Sequence, residues 1–419
     1  MDKNRLVSEQ RKPADRKLAR QTELADIFGQ YGSAFLATHN LPLRHRKVMQ
    51  QIINCRTKVL GGHRQWCARC GYQRYLYHSC RNRHCPKCQN TATESWRQAR
   101  MLELLPVPYF HNVFTIPHEI NALILWSENN QRRLLKLLFD ATAQTLLQFG
   151  RTELRGQVGF TLVLHTWDQQ LRPHFHLHCL IAAGALAENG SRWIAGGRQF
   201  LFPVRGLSTM FRAKFLCGLK ELFKEQELRL TPALTSPVKQ RQLVRKLFKK
   251  PWVVYSKAPF AGPAKLIDYL SRYTHRVAIT GSRIKSCVGG NVTFNYRDRR
   301  DGDRRKQMSL PVNQFMGRFL SHVLPSRFMR IRHYGYLANR FKQVRLKQIR
   351  SRIGARPPQS RVLILTAQQL LLSLGIDTQK CPCCGHGLQS EAIPSLLTGS
   401  RNQPQPTVCR LRSTRGPPE

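Results

Sequence analysis

The segment RPHFHLHC sets His174, His176 and His178 at every second position, with Phe175 and Leu177 between them. Period two is the spacing of a β-strand, on which alternate side chains share a face. Three imidazoles then look one way and the apolar residues the other. Such a face suits a cation: imidazole favours Mn2+ or Zn2+, and a site completed by phosphate oxygens also takes Mg2+. His176 and His178 are the leading ligands. The third is either His174 or His165, which lies one strand earlier in LVLHTW. An ion so held polarises a phosphoryl oxygen during an in-line displacement, and that reaction calls for a nucleophile.

Downstream, AKLIDYLSRYTHR reads as a helix entered after Pro263, with Tyr269 and Tyr273 four residues apart and hence neighbours on one face. A phenol titrates near ~10, so attack at neutral pH needs a positive field, which Lys265, Arg272, His275 and Arg276 can supply. An isolated pair at this spacing is more often a helix face turned to a core. Its weight comes from the histidine strand, because a phosphotyrosine bond keeps the energy of the broken phosphodiester and permits rejoining without ATP.

Cys67 and Cys70 stand in WCARCG and Cys85 and Cys88 in HCPKCQ, with fourteen residues between the two pairs. This is the spacing of a zinc ribbon, in which two tight turns each present two thiolates to one structural Zn2+. The surrounding Arg69, Arg81, Arg83 and Lys87 are too polar for cysteines buried without a ligand. Cys80 is the first substitute in the ligand set, and Cys55, His63, His78 and His84 are further candidates. A second cluster, CPCCGH from Cys381 to His386, offers one C-x2-C and is half a site. Arg69 and Arg74, with Tyr75, are candidates for gripping single strands by phosphate contact and stacking.

These groups need elements to hold them. Apolar residues at three- and four-residue intervals predict helices from Leu18 to Thr38 and Leu43 to Ile53. A helix from Asn90 to Leu105 follows the cysteine-rich stretch. Strand-like runs at Val107–Ile116, Gly159–His165, His174–Ala183 and Val253–Ser256 alternate with helical runs at Gln131–Phe149 and Ser208–Glu225. VTFNYRDR reads as further strand, and Val312 to Val323 as a helix. The class is α+β, with four consecutive regions: a basic helical region (1–54), a zinc-binding domain (55–105), a catalytic domain (106–345) and a basic C-terminal region (346–419). The Gln-, Pro- and Ser-rich tail after about Ser390 is expected to be disordered.

Composition narrows the partner. The 419 residues carry 69 Lys and Arg against 23 Asp and Glu, a net charge of +46, with 41% hydrophobic residues for a core. Neutralising phosphates releases condensed counterions, so a nucleic acid is the partner such a charge favours. The longest apolar stretches fall far short of the ~20 residues that span a bilayer, and no membrane role is expected. Nine of the thirteen cysteines sit in two clusters with metal spacing, which points to a reducing compartment, the cytoplasm and its bacterial nucleoid. With so few carboxylates and no cluster of them, an acidic two-ion site is disfavoured.

The sequence resembles a known family at several motifs in order: FTIPH (Phe114–His118), HTW (His165–Trp167), HFHLHC, DYLSRYTHRVAIT, RFLSHVLP (Arg318–Pro325) and RIRHYGYLAN (Arg330–Asn339). These are similar to the two-tyrosine HUH transposases of rolling-circle insertion sequences, the IS91 group, over roughly residues 50 to 340. The resemblance implies an HUH nuclease domain, an antiparallel sheet with flanking helices, preceded by a helical and zinc-ribbon DNA-binding domain. It implies that His176 and His178 are the metal motif, with Mg2+ or Mn2+, and that Tyr269 and Tyr273 are the nucleophiles. One tyrosine would nick single-stranded DNA at a transposon end and bind the 5′ phosphate, leaving a 3′ hydroxyl for host replication machinery. The second would act at the target or the far end. Phe175 stands where the family usually has proline, a change expected to keep the strand. Two other readings are a replication initiator or relaxase, and a non-catalytic zinc-ribbon DNA-binding protein, which would leave the histidines and tyrosines without a use.

Overall fold

The computed structural model describes residues 21–197, 199–257, 265, 267–268, 278–298, 300–357 and 366–397. Two helices come first, α1 (Leu24–Thr38) and α2 (Leu43–Asn54), then a hairpin of β1 (Gly62–Trp66) and β2 (Gln73–Tyr77), and α3 (Asn90–Glu103). Next are β3 (Tyr109–Thr115), α4 (Asn121–Leu125), α5 (Glu128–Glu153), β4 (Gly156–Gln157), β5 (Gly159–Trp167) and β6 (Pro173–Ala182). Then follow β7 (Gly184–Ala187), β8 (Trp193–Ala195), α6 (Val204–Lys224), α7 (Pro237–Lys249) and β9 (Val254–Lys257). A meander of β10 (Ile284–Val288), β11 (Asn291–Asp298) and β12 (Arg304–Pro311) runs into the helix Val312–Leu320. After β13 (Ile331–Gly335) come the helices Lys342–Arg352 and Ala367–Ser373, and finally β14 (Gln389–Ile393). The class is α+β, as expected.

The chain divides into two units, and neither is a continuous stretch. One comprises residues 1–53 and 82–367, the other 54–81 and 368–419. This differs from the four consecutive regions predicted at 1–54, 55–105, 106–345 and 346–419. The reason is pairing: the segment around β1 and β2 is completed by the end of the chain, while α1 and α3 join the larger unit. In that unit Phe28 of α1 meets Phe319 edge to face with ring centroids 5.5 Å apart.

The larger unit is built on a five-stranded antiparallel sheet in the order β13-β5-β6-β3-β9. Alternation decides what each face does. Phe110, Phe114, Phe160, Leu162, Leu164, Phe175, Leu177 and Ile181 form one face, all buried in a core with Leu135, Leu138 and Phe139 of α5 and Phe211 and Phe215 of α6. Each such side chain contributes about 1.5–3 kcal/mol by leaving water. The α5 helix begins at Ser127, whose hydroxyl accepts the Asn130 N–H at 3.0 Å, and α7 starts from a similar cap on Ser236. Phe175 is wholly buried, so the residue in the proline's place anchors the strand to this core.

The opposite face changes character along its length. At one end Tyr109, Leu180 and Ala182 are buried with Ile267, Tyr336, Leu346 and Ile349. At the other end it carries the histidines.

In the smaller unit β1 is the centre of a three-stranded antiparallel sheet in the order β14-β1-β2. Gly62 pairs with Ile393 and Trp66 with Gln389 in unbroken register. The tail expected to be disordered after Ser390 is therefore strand up to Ile393, because the open edge of β1 offers a ladder of backbone donors and acceptors. Among the described residues no helix is long and apolar enough to cross a membrane.

Candidate functional site

Antiparallel register places His165 of β5 directly across from His176 of β6, and Val163 across from His178. On the other side of β6, Val113 of β3 pairs with His178 and Thr115 with His176. Directly paired residues share a face, so His165, His176 and His178 converge. Their ligand nitrogens all lie within 4.8 Å of one another, and His165 Nδ1 is 3.3 Å from His176 Nε2. Three nitrogens at ~2.1 Å from one ion would stand about 3.4 Å apart, so the trio fits a cation with small adjustments.

Of the two candidates for a third ligand, His165 is the one grouped with His176 and His178. His174 is exposed and does not belong to the trio. Its stretch of β6 lies where the register with β5 shifts, between His165–His176 and Trp167–Pro173, and its ring lines the same cleft, 4.7 Å from the His176 ring between centroids. His174 instead presents its carbonyl oxygen to His176 Nδ1 at 2.9 Å, which orients that ring.

Sequence reasoning missed His111. It lies two positions before Val113 on β3, buried at 4% exposure, and its Nε2 is 2.9 Å from His178 Nδ1. Burial, aided by Lys257, pushes its pKa down to about 4, so the ring is neutral at pH 7. The bond commits His178 Nδ1 and makes Nε2 its nitrogen for an ion. A lone histidine in an apolar strand gives no signal by itself; the clue is that His111, Val113 and Thr115 keep the period of the neighbouring histidine strand.

The trio opens into a cleft of about 930 Å3. Its walls include Trp167, Tyr255 and Tyr296, and five cationic side chains (Arg172, Lys257, Arg283, Arg297, Arg300) against two acidic ones (Asp168, Asp298). Asp168 is bonded to Arg172 at 2.7 Å and Asp298 to Lys306 at 2.9 Å, so both carboxylates are engaged by cations. Trp167 packs on His165 with ring centroids 4.0 Å apart and fixes its orientation. A floor of three imidazoles that could hold a cation, under basic and aromatic walls, suits phosphodiester chemistry on a polyanion.

The other predicted residues are distributed as follows. Lys265 is exposed; Tyr269, Arg272, Tyr273 and Arg276 lie outside the described residues. Cys67 and Cys70 are not grouped with Cys85 and Cys88, which fall in the other unit, but with Cys381 and Cys384. Cys80 is not in that set either: its N–H donates to Cys55 Sγ at 3.5 Å. Arg69 approaches His386 Nδ1 at 3.2 Å, and Arg74 donates to Gln65 Oε1 at 2.8 Å and to the Thr378 carbonyl. Both arginines thus make contacts inside their own unit.

Comparison with known proteins agrees with these features. Residues 159–345 match the family model described as putative transposase, and residues 27–116 the one described as transposase zinc-binding domain. The chain is 41% identical over 374 residues to the putative transposase y4qJ of Sinorhizobium fredii (strain NBRC 101917 / NGR234), covering 87% of this chain and 93% of that protein. It is 26% identical over 362 residues, 84% of each, to the transposase for insertion sequence element IS801 of Pseudomonas savastanoi pv. phaseolicola. A conjugative relaxase TrwC in complex with mutant OriT DNA aligns with 38% of this chain and 71% of its own at 15% identity, with a TM-score of 0.21, too low for a shared fold to be read from it. The chain belongs to the IS91-type transposase family and carries that family's N-terminal zinc-binding domain.

Proposed function

We propose that this transposase works by rolling-circle chemistry, nicking one DNA strand and transferring it through a tyrosine joined to the 5′ phosphate. The observation that supports this best is the buried trio of His165, His176 and His178 at the floor of a basic cleft. These three would hold Mg2+ or Mn2+, which supplies positive charge at a phosphoryl oxygen when bound. Tyr269 and Tyr273 are the nucleophiles in this reading. Support comes from the match to the putative transposase family model over residues 159–345, which spans both tyrosines.

The tyrosine hydroxyl gives up its proton and its oxygen bonds to phosphorus, while the bond from phosphorus to the 3′ oxygen breaks and that oxygen takes a proton. The 5′ phosphate stays on the enzyme, and the 3′ hydroxyl is left to host replication machinery. Rejoining reverses the step at a new end, and the second tyrosine allows two strands to be held in one cycle. The partner is single-stranded DNA at the transposon ends and target. Arg172, Arg283, Arg297 and Arg300 would track its phosphates, and Trp167, Tyr255 and Tyr296 would stack its bases.

Labelled single-stranded oligonucleotides from the element's ends, incubated with protein and Mn2+ or Mg2+, test this on a denaturing gel. The expected result is a metal-dependent covalent adduct, absent from Tyr269→Phe/Tyr273→Phe and from His176→Ala. Tight binding without an adduct under either ion would overturn it.

A further inference from the structure

The smaller unit contains a thiol cluster that the zinc-binding family match, ending at residue 116, only half covers. Cys67, Cys70, Cys381 and Cys384 offer sulfurs that all lie within 4.8 Å of one another. Two of the contacts, Cys67 Sγ to Cys384 Sγ and Cys70 Sγ to Cys381 Sγ, measure 3.5 Å each. Four sulfurs at ~2.3 Å from a tetrahedral zinc stand about 3.8 Å apart, so the set is already close to that shape, and 3.5 Å is far too long for a disulfide.

The two halves of the cluster are also built alike. In WCARCG the Gly71 N–H donates to the Cys67 carbonyl at 3.0 Å and the Cys67 N–H to the Tyr72 carbonyl at 2.9 Å. In CPCCGH the Gly385 N–H donates to the Cys381 carbonyl at 2.9 Å and the Cys381 N–H to the His386 carbonyl at 2.7 Å. The bonds fall at the same offsets, from the fifth residue back to the first and from the first to the sixth. Both turns need a left-handed residue after the second cysteine, and glycine supplies it, at φ +71° for Gly71 and +72° for Gly385. HCPKCQ lacks that glycine and runs straight into α3. Matched turns carrying matched pairs of thiols are what a closed structural zinc site requires.

We propose that one structural zinc ion is held by Cys67, Cys70, Cys381 and Cys384, so that the zinc-binding unit draws half of its ligands from the far end of the chain. The strand ladder from β14 to β1 and the Arg74 bond to the Thr378 carbonyl hold the C-terminal turn at the N-terminal one. Cys383, between the two C-terminal ligands, is exposed and takes no part.

The test counts zinc on the full chain, purified under reducing conditions, for wild type, Cys67→Ser/Cys70→Ser, Cys381→Ser/Cys384→Ser and the quadruple variant. Each double variant is expected to lose one zinc per chain, and the quadruple variant no more than either double. An unchanged count in Cys381→Ser/Cys384→Ser, or losses that add in the quadruple variant, overturns the proposal. Should a variant fail to fold, the wild-type protein answers alone by thiol alkylation and mass spectrometry. All four cysteines should resist labelling together and become reactive together as a chelator removes one zinc, with Cys383 labelled throughout. Free labelling of Cys381 and Cys384 in the zinc-loaded protein overturns the proposal as well.

Discussion

Replacing His111 with phenylalanine should weaken metal binding without emptying the site of its ligands. The ring sits on β3 at 4% exposure, and phenylalanine fills its volume in a sheet already rich in aromatics. What disappears is the acceptor for His178 Nδ1, 2.9 Å away. That nitrogen, buried beneath the cleft, is left with an unsatisfied N–H whenever its partner nitrogen holds an ion, at a cost of about 1–3 kcal/mol. One tenfold change in affinity corresponds to about 1.4 kcal/mol, so the structure predicts roughly a 10- to 100-fold rise in the Mn2+ concentration for half-maximal adduct formation. Because the three proposed ligands remain, saturating Mn2+ should restore most of the adduct yield. His111→Gln, which keeps an acceptor, should fall between wild type and His111→Phe. The assay is adduct yield against Mn2+ concentration, paired with calorimetric titration of metal into the free protein. A half-saturation point within twofold of wild type would refute the reasoning, as would a lost plateau that metal does not restore.

Three further outcomes follow from the same geometry. His165→Ala should abolish metal-dependent adduct formation, whereas His174→Ala should change it less than threefold; equal losses in a parallel titration would mean that His174 is also a ligand. Arg74→Ala removes bonds to Gln65 and to the Thr378 carbonyl, and should weaken the smaller unit by about 1–3 kcal/mol, read as faster zinc release to a coloured chelator. His333 accepts an N–H from Arg100 on Nε2 at 2.7 Å and has its pKa pushed down to about 3 by burial, with Arg100 adding. The unfolded chain therefore binds a proton there that the fold refuses between about pH 6.5 and 3. Stability is full above that window and falls with pH inside it, by at most about 1.4 kcal/mol per unit. Thermal melts at pH 7.5 and pH 5 should differ less in His333→Gln than in wild type, and an unchanged difference would exclude this source.

The sheet and its histidine strand were legible because period two is written in residue types: imidazoles on one side, Phe175 and Leu177 on the other. Choosing between His165 and His174 was not possible from spacing, since both have the right parity. The trio that the fold brings together, His165 with His176 and His178, depends on which residue of β5 pairs with His176, and that pairing is set across a turn. Helix positions came through well for α5 and α6, where buried apolar residues recur at helical intervals. Spacing pairs Cys67 and Cys70 with Cys85 and Cys88 because the nearest C-x2-C is the natural partner along the chain, whereas the fold sets Cys70 Sγ 3.5 Å from Cys381 Sγ, 311 residues on. The glycines after Cys70 and Cys384 were the local mark that set those two turns apart from HCPKCQ. Polar composition points to disorder after Ser390, and up to Ile393 the open edge of β1 outweighs it through backbone bonds that any side chain allows.

The discontinuous smaller unit has a consequence for the order of events at the ribosome. Cys70 is made early, and Cys381 emerges 311 residues later. At about 5–20 residues per second, the first half of the cluster waits on the order of 15 to 60 seconds for the second. During that interval the five-stranded sheet, whose strands all lie between residues 109 and 335, is synthesised whole and is free to form. Closing the long loop by random search would cost more entropy than closing a short one, by (3/2)RT times the logarithm of their length ratio. A larger unit that folds first shortens the effective loop, so the cysteine unit is expected to be the last part of a newborn chain to mature.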